Sequence, residues 1–275
     1  MRLPASFVPL LVIAAALVSL MAMRVSGAPN GSLAVQAIAF VLAALLVLPK
    51  RTAAWIESLD ARWLGGAILL VAVAVLVAGV EIDGARRWLR IGPVLVHPAS
   101  LLGSILLLAL ARAPGNAWCM LLAGAAIACF GLGNDGAASL AFALGSTALL
   151  LVERKAWKTL LPLCVLAWCL AAWGWTRPDT LAPVPWVELI VSHTWTASAL
   201  LGIAASVLLV MLPLPFVLAA LEPRQRGAGV ALAGFWSGLL LAGLVGNYPV
   251  PVIGYGASPV IGWVLALRLL SSRSP

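Results

Sequence analysis

What most limits the fold of this chain is its run of about ten long apolar stretches, each about 15–25 residues. A helix needs roughly 20 residues to cross a hydrocarbon core about 30 Å thick. The stretches fall at 5–23, 32–49, 64–80, 98–111, 117–132, 137–152, 158–175, 196–220, 228–246 and 252–270. Between them, charged residues make up only 9% of the 275, against about a quarter in a soluble domain. Strands fit badly, because sustained two-residue alternation is missing and Ala and Leu dominate. Backbone in lipid must satisfy its own hydrogen bonds, which leaves an all-α, polytopic transmembrane bundle. Residues 1–275 read as one integral membrane domain.

Arg2 followed by Phe7 to Met23 has the outline of a signal peptide, with a passable cleavage site near Ser26. The apolar run is long for that role and many similar ones follow, so it is read as the first spanning helix. Cys119, Cys129, Cys164 and Cys169 all lie inside apolar stretches with no Cys-x-x-Cys spacing, and are read as structural thiols. A formal charge of +8 would suit a nucleic-acid partner, but its distribution argues otherwise. With a cytoplasmic N-terminus and alternating spans, twelve of the seventeen basic residues fall inside: Arg2, Lys50, Arg51, Arg62, Arg112, Arg154, Lys155, Lys158, Arg224, Arg226, Arg268 and Arg273. That is the positive-inside pattern, and it accounts for most of the charge. The expected place is a bacterial inner membrane.

Arg24, Arg86, Arg87, Arg90 and Arg177 fall outside, three of them within five residues of "EIDGARRWLRIGPVLVHP", 81–98. One reading is an amphipathic interfacial turn with balanced charge, Trp88 sitting at the headgroups. The other is an anion site, since three planar guanidinium forks suit the oxygens of a diphosphate. Asp135 stands between Asn134 and Gly136 among apolar neighbours. An acid at membrane depth is by default a functional candidate, the alternative being an inert solvated helix end. Pro249, Pro251, Gly254 and Gly256 predict an irregular lead-in to the last helix, with Tyr255 and Ser258 offering hydroxyls there.

"DGARRWLRIGPVLVHPASLL" resembles the Gly-Ala-Arg-Arg-Trp loop, with Gly84 at its head, and the following Gln-Pro-Ser-Glu helix of the SEDS family (shape, elongation, division and sporulation; FtsW/RodA-like). "YPVPVIGYGASPVIGWVLAL", 248–267, is similar to that family's Pro-x-Pro-x-x-Ser-Tyr-Gly-Gly-Ser signature, and "GLGNDGAAS", 131–139, to its Gln-Pro-Asp-Leu-Gly-Thr. The order, spacing and span count agree over nearly the whole chain, which is shorter than usual for the family. The resemblance implies a peptidoglycan glycosyltransferase of cell shape or division. Such enzymes polymerise lipid II, an undecaprenyl-diphosphate-linked glycan, at the outer face, beside a class B penicillin-binding protein. Lipid II flipping has also been attributed to the family. By the resemblance Arg86, Arg87, Trp88, Arg90, His97, Asp135, Tyr255 and Ser258 would bind substrate. A divalent cation (Mg2+ or Mn2+) could assist the leaving diphosphate.

The departures fall on the chemistry. The family's catalytic Asp aligns with Trp195 in "PWVELIVSHTWTASALLG", 185–202, and indole offers no base. Glu188 and His193 are the substitute candidates, Asp179 a more distant third; the bland readings are a solvated loop acid and an idle interfacial histidine. His97 replaces a Gln, Ala99-Ser100 stand for Ser-Glu, Gly103 for a Lys, Gly254 for a Ser and Ala257 for a Gly. The outer loop after the seventh span is also short. A divergent glycosyltransferase leads; a non-catalytic partner of a penicillin-binding protein, an O-antigen-ligase-like transferase and a flippase are the alternatives.

Overall fold

The computed structural model describes residues 7–47, 55–56, 58–177 and 182–271. Arg2, Lys50, Arg51, Asp179 and Arg273 lie outside them. The chain runs α1 (Phe7–Val25), α2 (Asn30–Val47), α3 (Ala61–Ala78), β1 (Val80–Ile82), β2 (Ala85–Ile91) and β3 (Val94–Val96). Then follow α4 (Pro98–Arg112), α5 (Ala117–Leu132), α6 (Gly136–Val152), α7 (Trp157–Trp175), α8 (Ile190–Ala197), α9 (Ala199–Met211), α10 (Leu214–Ala220), α11 (Arg226–Val245) and α12 (Ala257–Ser271).

Among the described residues, five helical segments are long and apolar enough to cross a membrane: Phe7–Val25, Ala61–Ala78, Arg154–Trp175, Ala199–Ala220 and Arg226–Val245. Shorter apolar helices occupy the other five stretches read from the sequence. The chain is a multi-pass membrane protein. Its surface agrees: Leu10, Ile13, Leu17 and Met21, spaced for one helix face, are all more than half exposed on α1. Trp55, Trp63, Trp118 and Trp157 stand exposed near one end of the bundle, as interfacial aromatics do.

Two expected helices are shorter than the stretches that encode them. Stretch 196–220 breaks at Ser198, which caps α9, and again at Pro213, which has no N–H to donate. In the last stretch, residues 249–256 stay irregular and the helix begins at Ala257.

α11 is the most enclosed of these five long segments, with 61% of its apolar stretch buried in protein against 22–33% for the other four. Its Gly234 and Gly238 lie four apart and face Ala141, Leu144 and Gly145 of α6. A Cβ at Gly238 would come 2.4 Å from Ala141 Cα, so the two backbones meet as small-residue pairs allow in membranes. Because the obstacle is backbone, Gly238→Ala is expected to cost about 1–3 kcal/mol, read as a lower unfolding midpoint in detergent. An unchanged midpoint would mean that the α6–α11 contact relaxes freely.

Residues 80–96 form an antiparallel meander, β1-β2-β3, in the stretch that the sequence reads as either an interfacial turn or an anion site. Asp83 (φ 47°) and Gly84 (φ 79°) make the two-residue hairpin between β1 and β2, the conformation that Asp-Gly favours. β2 pairs Arg86 with Glu81, and Arg90 with Leu95. Three strands of three, seven and three residues are too short for their alternation to stand out in an apolar sequence.

Candidate functional site

The site end of the bundle is built where the meander lies across the start of α6. Arg86 N–H donates to Gly133 O at 2.8 Å, so β2 is held against the end of α5. Strand alternation then separates the arginines. Arg87 points inward and is only 4% exposed, while Arg86 and Arg90 share the other face and Arg90 is exposed. Arg86 is occupied on two sides, donating to Leu76 O at 2.9 Å and pairing with Glu81. Its Nε is buried without a partner.

Arg87 donates from Nε to Asn134 O at 2.8 Å. Its guanidinium lies 5.1 Å from the Tyr248 ring and 5.7 Å from that of Trp88, both within cation–π range. Asn134 reaches this position through a left-handed turn (φ 62°) that ends α5. Asp135 follows and caps α6, its carboxylate accepting from Ala138 N–H at 3.0 Å. The other carboxylate oxygen meets His97 Nε2 at 2.8 Å. His97 caps α4, with Nδ1 2.9 Å from Ser100 Oγ, and its own N–H donates to Ser258 Oγ at 2.8 Å.

Burial opposes the charge on Asp135, but His97, Arg87 and the Ala138 N–H outweigh it and hold the carboxyl below the ordinary aspartate value. The row Ser100–His97–Asp135 has the residue types of a hydrolytic triad. However, Ser100 is only 3% exposed and its hydroxyl also donates back to His97 O at 3.1 Å, so the row is a helix-capping network.

The lead-in to α12 is positioned by two polar side chains within the apolar helices α1 and α2. Gln36, fully buried, donates to Ser19 Oγ (3.0 Å), Val252 O (3.1 Å) and Gly254 O (3.2 Å), and accepts from Gly256 N–H (3.0 Å). Ser19 Oγ donates to Ile253 O at 2.9 Å. Together they hold Val252 at φ 68°, which a β-branched residue rarely adopts. Pro249 lies beside Gly243 of α11, and Pro251 is buried. Tyr255 is half-buried against the core.

The Glu188 loop docks on this lead-in. Val250 N–H donates to Val187 O at 3.3 Å, and Tyr255 N–H to Trp186 O at 3.1 Å. Val187 O also lies 2.6 Å from where a Cβ on Gly254 would sit. Glu188 accepts from Val184 N–H at 2.8 Å. His193 is half-buried on α8, and Trp195 is 45% exposed, its indole donating to Ser206 Oγ at 3.2 Å and its ring covering Gly202. At Gly103, a Cβ would fall 2.4 Å from Phe235 Cζ, so an aromatic ring fills the space a longer side chain would need.

The fold therefore gathers Arg87, Trp88, His97, Asp135 and Ser258 into one network and leaves Arg90 and His193 outside it. Gln36, Ser19, Asn134 and Tyr248 belong to the same end and were not among the residues singled out. Gln36 had a readable signal, as an amide alone in an apolar stretch.

The whole chain can be laid on solved structures of RodA from Thermus thermophilus. One superposition gives a TM-score of 0.63 at 24% identity, covering 98% of this chain and 96% of that one. An Asp-to-Ala mutant of the same protein gives 0.65 at 23%, covering 98% and 97%. The fold is that of RodA. A chain from a peptidoglycan synthase complex, described by its coordination of polymerization and crosslinking, matches at 0.63 and 25% identity over 96% of both chains. No family model matches the sequence, and no curated protein does. The resemblance to the SEDS family thus holds at the level of the RodA fold, and the three quoted motifs fall at the site end of that fold.

Proposed function

We propose that this chain is a SEDS-type protein of peptidoglycan synthesis. It takes an undecaprenyl-diphosphate-linked glycan such as lipid II at its arginine-bearing end and extends the glycan there. The observation that carries this reading is the end-to-end RodA fold, with the arginine strand, the capped Asp135 and the Glu188 loop all on its site end. On this reading the N-terminus is cytoplasmic, the site end faces outward from a bacterial inner membrane, and a class B penicillin-binding protein is the partner.

Within the site, roles divide by exposure. Arg90, exposed, meets the diphosphate and stabilises charge as it leaves, and Arg86 on the same strand face joins it by giving up its pairing with Glu81. Arg87, buried and spoken for, positions the strand. Glu188 is the general base for the attacking hydroxyl, with His193 the alternative. Among the described residues no three of His, Cys, Asp and Glu gather closely enough to hold a metal ion. A Mg2+ or Mn2+ assisting there would be carried largely by the diphosphate with one or two carboxylates, beside the charge that arginine supplies.

The reading is tested with purified protein, labelled lipid II and gel separation of glycan products, with and without a partner transpeptidase. Polymer is expected, reduced at least tenfold by Glu188→Ala. No polymer under either condition would sink the enzymatic reading. A non-catalytic, lipid-binding partner is the second reading, favoured by Trp195, whose indole is committed to Ser206 and Gly202. Arg90→Ala separates binding from folding: it should weaken lipid-diphosphate binding several-fold while leaving the unfolding midpoint in place. Equal binding would remove Arg90 from the site.

A further inference from the structure

Away from the site end's polar network, a groove of about 590 Å³ between α1 and α2 opens to the side of the bundle. Leu20, Met21 and Val25 line it from α1, and Leu33, Ala34 and Ala37 from α2. The remaining lining residue is Arg24, exposed at the groove's end. Its only hydrogen bond among the described residues is a 3.4 Å contact with Asn30 Oδ1. That end is the site end, because Ser19 and Gln36, one to two turns below, bind the 252–256 lead-in. α2 starts at Asn30, so the N–H groups of Asn30, Gly31 and Ser32 lack intrahelical acceptors and carry the helix's positive end.

An apolar channel ending on a guanidinium and a helix N-terminus is complementary to an acyl chain ending on a phosphodiester. We propose that this groove holds one anionic phospholipid, its phosphate between Arg24 and the start of α2 and one acyl chain along Met21 and Ala34. Depth decides against a long polyprenyl chain. From Leu20 to Val25 the groove follows α1 for roughly 8 Å, enough for the first methylenes of an acyl chain and little more. The site goes beyond the peptidoglycan reading and is independent of it.

Native mass spectrometry of the full chain, titrated with phosphatidylglycerol or with phosphatidylcholine of the same chains, tests it. Wild type should bind one phosphatidylglycerol about fivefold more tightly than phosphatidylcholine, a gap sized for one arginine at a lipid surface. Arg24→Ala should close that gap, Arg24→Lys should keep part of it, and Ala34→Phe, filling the groove, should weaken both lipids. Arg24 and Ala34 are exposed, so these variants leave the packed core untouched. Equal binding of the two lipids by wild type, or unchanged binding by Arg24→Ala and Ala34→Phe, would overturn the proposal. So would displacement of phosphatidylglycerol by substoichiometric undecaprenyl phosphate, which would give the groove to the lipid carrier. Retained lipid binding by Ala34→Phe with lost co-purification of a transpeptidase would give it to a protein helix, and would equally overturn it.

Discussion

Replacing Asp135 with alanine is expected to destabilise the protein by about 3–5 kcal/mol, the range for removing one member of a buried ion pair. For a chain of this size that lowers the unfolding midpoint by roughly 6–20 °C. Three effects act together. Arg87, 4% exposed, loses the carboxylate beside it; His97 loses its 2.8 Å partner; and α6 loses its cap. Asp135→Asn keeps an oxygen for the Ala138 N–H but loses the charge and the acceptor facing His97 Nε2, so it should fall between wild type and alanine. The check is a thermal scan in one detergent at one scan rate, by intrinsic fluorescence. A midpoint for Asp135→Ala within about 2 °C of wild type would show that the network contributes little.

The same carboxylate sets an acid limit. Its folded value lies below the ordinary one, so its contribution is fully present above about pH 4 and is lost as pH falls through the folded value. Below pH 4 the wild-type midpoint should therefore approach that of Asp135→Asn. Curves that stay parallel to pH 3 would contradict the assignment.

Gln36→Leu is the second large effect. Leucine fills a similar volume but donates and accepts nothing, leaving Val252 O, Gly254 O and Gly256 N–H without the partner each now has. At about 1–3 kcal/mol for each buried group left unsatisfied, the loss is about 3 kcal/mol or more. The strained Val252 and the start of α12 are then free to move, and with them Ser258, the acceptor for His97 N–H. Gln36→Leu should therefore lower the midpoint and also weaken lipid-diphosphate binding, although Gln36 touches neither arginine. Gln36→Glu keeps one acceptor for Gly256 and should retain more stability than leucine. Equal midpoints for Gln36→Leu and wild type would mean that the lead-in holds its shape unaided.

Much of the architecture was legible because lipid imposes a single demand on every span. Apolar length alone placed the helices, and α5 falls on 117–132 as read. Where helices begin was less legible. Residues 252–256 are as apolar as the helix they precede, and only Gln36, distant in sequence, decides that their backbone hydrogen bonds go to a side chain. The arginines show the same limit. Their residue types and spacing were plain, and suggested three forks converging on one anion. Whether they converge depends on backbone period, and a seven-residue strand puts Arg87 on the opposite face from Arg86 and Arg90.

From the sequence by itself came a multi-pass helical bundle, an arginine cluster that breaks its positive-inside pattern, and the residues to watch beside that cluster. Those follow from composition and length, which lipid reads one span at a time. Only the tertiary structure decided which of those charges is free. Arg87 became a buried charge that favours the Asp135 carboxylate through contacts between β2, the α5–α6 turn and the Tyr248 segment, elements up to about 160 residues apart. Partners that far apart in the chain are chosen by packing, and no local pattern records them.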